Sequence, residues 1–196
     1  MNPSLWLRRF SMPLDQAWQA EQTTQLSDSE LARLDRIARP QRRAQFVVAH
    51  QMLRESLGSA VLGDVRIDVD SGGRLQVRAS APVYASIAHS NDCVAVLVAD
   101  EAVGVDVESV THKRELGGAA AMLGLSLGTP PEAVLRAWMT AEARLKAGGN
   151  ASQQVWISSW QSCQLAVAGL AKPPLTGVFD GLAGIYNPTE LKWDAV

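Results

Sequence analysis

The stretch Val103-Gly104-Val105-Asp106-Val107-Glu108 constrains this chain more than any other. Valine alternates with a small or acidic residue on a period of two, the pattern of a β-strand. On a strand, residues i and i+2 share a face. Asp106 and Glu108 therefore stand side by side on one face, and Val105 and Val107 are buried on the other. Two like charges this close repel, so something positive is expected between them. Oxygen ligands on a short length of backbone suit Mg²⁺. An edge strand with a solvated acidic face accounts for the same pattern, and the stretch alone does not choose between the two.

The remainder of the chain narrows the setting. Its 196 residues suffice for one large domain or two small, tightly packed ones, and a 47% apolar content supports a proper core. A net charge of −2 and a pI near 5.9 give no sign of a nucleic-acid binder. The two cysteines, Cys93 and Cys163, lie inside apolar runs. They read as buried free thiols in a reducing cytosol, not as a disulfide framework. The opening MNPSLWLRRF lacks the long apolar core of a signal peptide, and no window approaches 18 uninterrupted apolar residues. The expected setting is cytoplasmic.

Along the chain, Trp6, Leu7 and Phe10 suit an initial strand. Ser27-Asp28-Ser29-Glu30 is a capping box ahead of Leu31, Leu34 and Ile37, which predicts a helix over 28–38. Pro40 fits the first turn of a second helix that ends near Gly58. Between them lie Arg33, Arg36, Arg39, Arg42 and Arg43, a basic patch opposed only by Asp35. Such a patch is either a solvated helical face or a phosphate site, since guanidinium forks match phosphate oxygens. Residues 65–69 and 75–77 read as a hairpin around Gly72 and Gly73, where the backbone can approach a ligand closely. Residues 83–87 and 93–99 read as strands that, with 103–108, form an antiparallel meander, His89 and Ser90 lying at one of its turns. A helix is predicted near 114–124. Thr129-Pro130-Pro131-Glu132 reads as a second capping box, opening a helix over 130–147. On that helix Trp138, Glu142 and Lys146 recur every four residues and share a face. One or two strands follow within 155–170, where residues 161–168 loosely echo 91–97. The last 25 residues suit short strands and loops, with Leu191 and Trp193 packing back on the body.

Taken together, Ala88-His89-Ser90, then Gly104-Val105-Asp106-Val107-Glu108, then Trp138-Met139-Thr140-Ala141-Glu142-Ala143-Arg144-Leu145-Lys146 resemble the 4′-phosphopantetheinyl transferases of the surfactin-synthetase-activating type. That family shows an S-H-S turn, G-x-D-x-E, and W-x-x-K-E-[AS]-x-x-K, with a Gly-Lys-Pro turn upstream. The match spans roughly residues 26–170. The resemblance implies an α+β fold of two similar α/β halves arranged as a pseudo-dimer. Residues 1–101 would carry the coenzyme A-binding helices and hairpin, and residues 102–196 the Mg²⁺-binding strand and helix. It implies transfer of the 4′-phosphopantetheine arm of coenzyme A to a serine of an apo acyl or peptidyl carrier protein, with release of 3′,5′-ADP. The pathways concerned are fatty acid, polyketide or nonribosomal peptide synthesis. By the same resemblance, Asp106, Glu108 and Glu142 would ligate Mg²⁺, and Glu142 would take the serine proton directly or through water. Lys146 would neutralise charge on the pyrophosphate. His89, Ser90, Gly73 and Arg74 would hold coenzyme A phosphate. Arg36, Arg39 and Arg43 would serve the adenosine 3′-phosphate region. A chain holding both halves is expected to act as a monomer, with neither nucleic acid nor membrane as partner. It departs from the family pattern at Ala141, which stands for lysine, at Ala88, which stands for serine, and at Gly73-Arg74-Leu75, which stands for Gly-Lys-Pro. A decayed relative that binds coenzyme A or a carrier without transfer is the alternative.

Overall fold

The alternating stretches become strands and the capped, amphipathic stretches become helices, giving a mixed α+β fold. A computed structural model describes residues 1–60, 65–70, 75–110, 116–126, 128–150, 152–179 and 186–196. In chain order it contains β1 (Ser4–Arg9), α1 (Gln16–Thr23), α2 (Asp28–Asp35), α3 (Pro40–Ala60), β2 (Arg66–Val69) and β3 (Leu75–Arg78). Then come β4 (Tyr84–Ser90), β5 (Cys93–Ala99), β6 (Gly104–Ser109), α4 (Gly117–Met122) and α5 (Pro131–Lys146). The chain closes with β7 (Val155–Trp160), β8 (Cys163–Ala168), β9 (Leu175–Phe179), β10 (Tyr186–Thr189) and β11 (Asp194–Ala195). Gly73 and Arg74, two of the residues expected to hold phosphate, lie outside the described residues. Among the described residues, no helix is long and apolar enough to cross a membrane.

The start of α2 follows its capping box. The Ser27 hydroxyl accepts from the Glu30 amide, and the Glu30 carboxylate accepts from the Ser27 amide at 2.7 Å. The second capping box does not form. Pro130 is the N-cap of α5 and has no hydroxyl to offer, while Thr129 pairs with Ser126 instead.

Two sheets face each other. One has the order β10-β9-β1-β5-β4, and the other β11-β7-β8-β6. The hairpin β2-β3 stands apart as a two-stranded sheet. The expected meander through β6 fails at its last step. β5 already has β1 on one side and β4 on the other, so no edge remains for β6, which pairs with β8. The free edge of β6 runs beside β4. There the link is made by serine hydroxyls: Ser86 Oγ accepts from the Val105 amide at 3.0 Å and Ser90 Oγ from the Ser109 amide at 3.1 Å. β9 and β10 return to the first sheet, β9 lying parallel to β1, so strands from both expected halves share it.

The layers follow from the alternation. On one face of β5, Val94, Val96 and Val98 pack with Val48, Met52 and Leu53 of α3. On the other, Cys93, Ala95 and Leu97 join Val105 and Val107 of β6 and Leu165 and Val167 of β8 in a core between the sheets. Each buried Val or Leu side chain contributes roughly 1.5–3 kcal/mol. Leu191 and Trp193 pack against that core from the C-terminal segment. On the far side, Ala166 and Ala168 of β8 meet Met139 and Ala143 of α5. The echo between 91–97 and 161–167 has a structural counterpart. Asn91 (φ 53°) and Gln161 (φ 52°) each open a two-residue turn, and Cys93 and Cys163 each begin the returning strand.

Candidate functional site

Asp106 and Glu108 share the side of β6 opposite Val105 and Val107, as the alternation requires. Gly104, on that same side, brings α5 close. A Cβ at Gly104 would lie 1.9 Å from the Ala143 carbonyl oxygen, so only glycine lets the helix backbone rest against the strand. The close approach places Lys146 over the carboxylates. Its Nζ donates to Asp106 Oδ1 at 2.9 Å and to the Val105 carbonyl at 3.0 Å. The positive group expected between the acids is thus present at Asp106. The solvated edge strand is ruled out, because Asp106 and Glu108 are each only 7% exposed.

Asp106 is poorly satisfied for a buried carboxylate. Its Oδ2 is buried and has no hydrogen-bond partner among the described residues. Burial pushes its carboxyl up to about 6; Lys146 pulls it down, and the charges of Glu108 and Glu142 push it further up. Glu108 Oε2 accepts from the Ser90 hydroxyl at 2.8 Å. Glu142 sits half-buried one turn before Lys146. The buried, unpartnered Oδ2 and the neighbouring hard oxygen donors fit a divalent cation such as Mg²⁺. As they stand, no three His, Cys, Asp or Glu side chains among the described residues are gathered closely enough to hold a metal ion. The structure therefore brings together Asp106, Glu108 and Lys146, but does not draw Glu142 into a three-ligand group.

Lys146 also lines a cavity of about 490 Å³ whose walls come from α2, α3, the β2–β3 hairpin, β4 and the end of α5. Arg33, Arg42, Phe46, His50 and His89 line it with Lys146. Arg42 donates to Gln45 at 2.9 Å and to the His89 ring, 2.6 Å from Nδ1. Neither partner is an anion. Burial and the neighbouring Arg33 lower the Arg42 pKa. Burial, with Arg42 and Lys146 nearby, drops His89 to about 4, so it is neutral at pH 7. Phe46 stacks on His50 with ring centroids 4.0 Å apart. The walls thus combine an aromatic surface with positive charge that has few counter-charges, an arrangement suited to a phosphorylated ligand. A larger hollow of about 850 Å³, beside the start of α2 and the end of α3, carries neither the β6 carboxylates nor Lys146.

The remaining expected residues fall elsewhere. Arg43 donates to the carbonyls of Leu34 at 2.6 Å and Ile37 at 3.3 Å, closing the end of α2. Arg36 donates to the Ala32 carbonyl at 3.1 Å, and Arg39 is exposed. None of the three lines the cavity; Arg33 and Arg42 take that place. Ser90 is buried at the seam and does not line the cavity either. A helical signal for Arg42 was present, since Arg42, Phe46, Ala49 and His50 follow the i, i+4, i+7, i+8 spacing of one face.

A buried cluster escaped sequence reasoning altogether. Glu30, fully buried, accepts from His50 Nδ1, from Arg54 and from the Ser27 amide. Burial would raise its carboxyl, but these donors hold it at about 2. In the sequence Glu30 carried only a capping signal, and nothing linked it to residues twenty positions away.

No protein-family model matches the chain, and no curated protein matches it.

Proposed function

We propose that this chain is a Mg²⁺-dependent 4′-phosphopantetheinyl transferase, with the two-halved fold of that family, acting on an apo acyl or peptidyl carrier protein. One observation carries the reading. A buried carboxylate pair on β6, with Asp106 Oδ2 unpartnered, sits beside a cation-lined cavity that shares Lys146 with it. That juxtaposition is what phosphoryl transfer from a pyrophosphate calls for: positioning and charge neutralisation, with little covalent chemistry by the protein.

In the proposed reaction coenzyme A occupies the cavity, its phosphates facing Arg33, Arg42, His89 and Lys146. Asp106 and Glu108, with Glu142 drawn in, would hold Mg²⁺, which would supply charge neutralisation at the pyrophosphate. The carrier serine oxygen bonds to the phosphorus that bears pantetheine. The bridging P–O bond breaks and 3′,5′-ADP leaves with the electron pair. Glu142 takes the serine proton. Lys146 moves from Asp106 Oδ1 towards the departing phosphate.

The test is incubation with coenzyme A, Mg²⁺ and apo carrier proteins of the host's synthases, read by mass spectrometry. The carrier gains the phosphopantetheine mass, and Asp106→Asn abolishes that gain while the fold persists. Carriers left unmodified by this chain but converted by a control transferase would sink the activity. A second reading, a relative that binds coenzyme A or a carrier without transfer, is favoured by the lack of a gathered three-ligand group among the described residues. Tight coenzyme A binding with no product over hours would select it.

A further inference from the structure

We propose that Ser90 is a positioning residue that aims the Glu108 carboxylate at the metal held beside Asp106, and is not a phosphate ligand. The proposal rests on the metal site described above. Ser90 is the last residue of β4, is 2% exposed, and does not line the cavity where phosphate would bind. Its hydroxyl does two things. The oxygen accepts the Ser109 amide at 3.1 Å, which fixes where that oxygen stands relative to β6. A hydroxyl has one proton to give, and Glu108 Oε2 takes it at 2.8 Å. The backbone of β6 thus anchors the oxygen that in turn grips a β6 side chain. Hydrogen bonds from a neutral donor to a carboxylate are short and directional, so Ser90 helps to set the plane and heading of the Glu108 carboxylate. Outer partners of this kind orient metal ligands and tune their affinity.

Ser86 is a built-in control. It lies four residues earlier on the same strand and accepts the Val105 amide at 3.0 Å, so it makes the same seam bond. Unlike Ser90, it makes no hydrogen bond to a carboxylate among the described residues. Losing Ser86 removes one cross-seam bond. Losing Ser90 removes one cross-seam bond and the grip on Glu108.

The experiment compares Ser86→Ala with Ser90→Ala. Mn²⁺ binding is followed by electron paramagnetic resonance at saturating coenzyme A, and coenzyme A binding by calorimetry in EDTA. Ser90→Ala weakens Mn²⁺ binding about tenfold. Ser86→Ala leaves it near the wild-type value, although both variants lower the melting temperature alike. Coenzyme A affinity in EDTA is unchanged in Ser90→Ala; Ser86, which lines the cavity, serves as the control for Mn²⁺ binding alone. In a Glu108→Gln background, removing the Ser90 hydroxyl has little further effect on Mn²⁺. Equal Mn²⁺ affinities in the two serine variants overturn the proposal. A fall in coenzyme A affinity in EDTA for Ser90→Ala also overturns it, by making Ser90 a ligand contact. An Asp106→Asn variant that keeps wild-type Mn²⁺ affinity is a separate result: it removes the metal site itself, and the Ser90 proposal with it.

Discussion

Glu30 and Asp106 are both carboxylates buried between a helix and its surroundings, one in each part of the molecule, and they are treated in opposite ways. Glu30 receives three donors and is drawn down to about 2. Asp106 receives Lys146 on one oxygen, nothing on the other, and is pushed up to about 6. A buried charge that is fully satisfied holds structure together. A buried charge that is left wanting is costly, and is kept where it can meet something from outside the protein. The pair separates a buried carboxylate that is fully satisfied within the fold from one that is not.

Removing Glu30 should give the largest effect on stability. Glu30→Ala leaves Arg54 and His50 without their shared acceptor and costs about 4 kcal/mol by denaturant unfolding. The same contribution has a pH signature. Because the folded-state pKa, about 2, lies below the ordinary 4.5, the stabilisation is fully present above pH 4.5 and is lost as pH falls towards 2. The loss amounts to about 3 kcal/mol, and it is missing from the acid titration of the variant. An unchanged acid midpoint in Glu30→Ala would remove the contrast.

Gly104→Ala tests how Asp106 meets its helix. The new methyl would collide with the Ala143 carbonyl, so α5 must back away, at a cost of about 3 kcal/mol. Full stability in this variant would mean that α5 does not press on β6.

Asp106→Asn should give the smallest effect and the opposite sign. The folded-state pKa lies above the ordinary 3.8, so the ionised form at neutral pH costs stability that is present only at lower pH. Removing the charge raises stability at pH 7 by about 1 kcal/mol, read by thermal unfolding, even as the proposed transfer activity disappears. A clear destabilisation would make Asp106 a structural group like Glu30.

Local patterns carried much of the architecture. The alternation at 103–108, the capping box at Ser27 and the spacing of α5 all reappear as strand and helices, because each depends on neighbours in sequence. What did not carry over depends on distant neighbours. Nothing within 93–108 says that both edges of β5 are already taken, so β6 was expected in the wrong sheet. The arginine patch was visible, but which of five arginines face the cavity depends on how α2 and α3 lie against β4 and α5. The resemblance favoured Arg36, Arg39 and Arg43; packing turned Arg33 and Arg42 inward and set Arg43 to closing α2. At β6 the alternation located the acids correctly, while the strength of their burial came from Gly104 and α5.

The parallel pairing of β1 with β9 joins Ser4 to Leu175, nearly the whole chain apart in sequence. During synthesis β1 can dock on β5 well before β9 emerges, and its outer edge stays bare until β9 has left the ribosome. An uncovered strand edge is a template for pairing with another chain. Between the emergence of β5 and that of β9, the flank of β1 is therefore adhesive. The sooner β9 arrives to close that edge, the shorter the time in which it can pair with another chain.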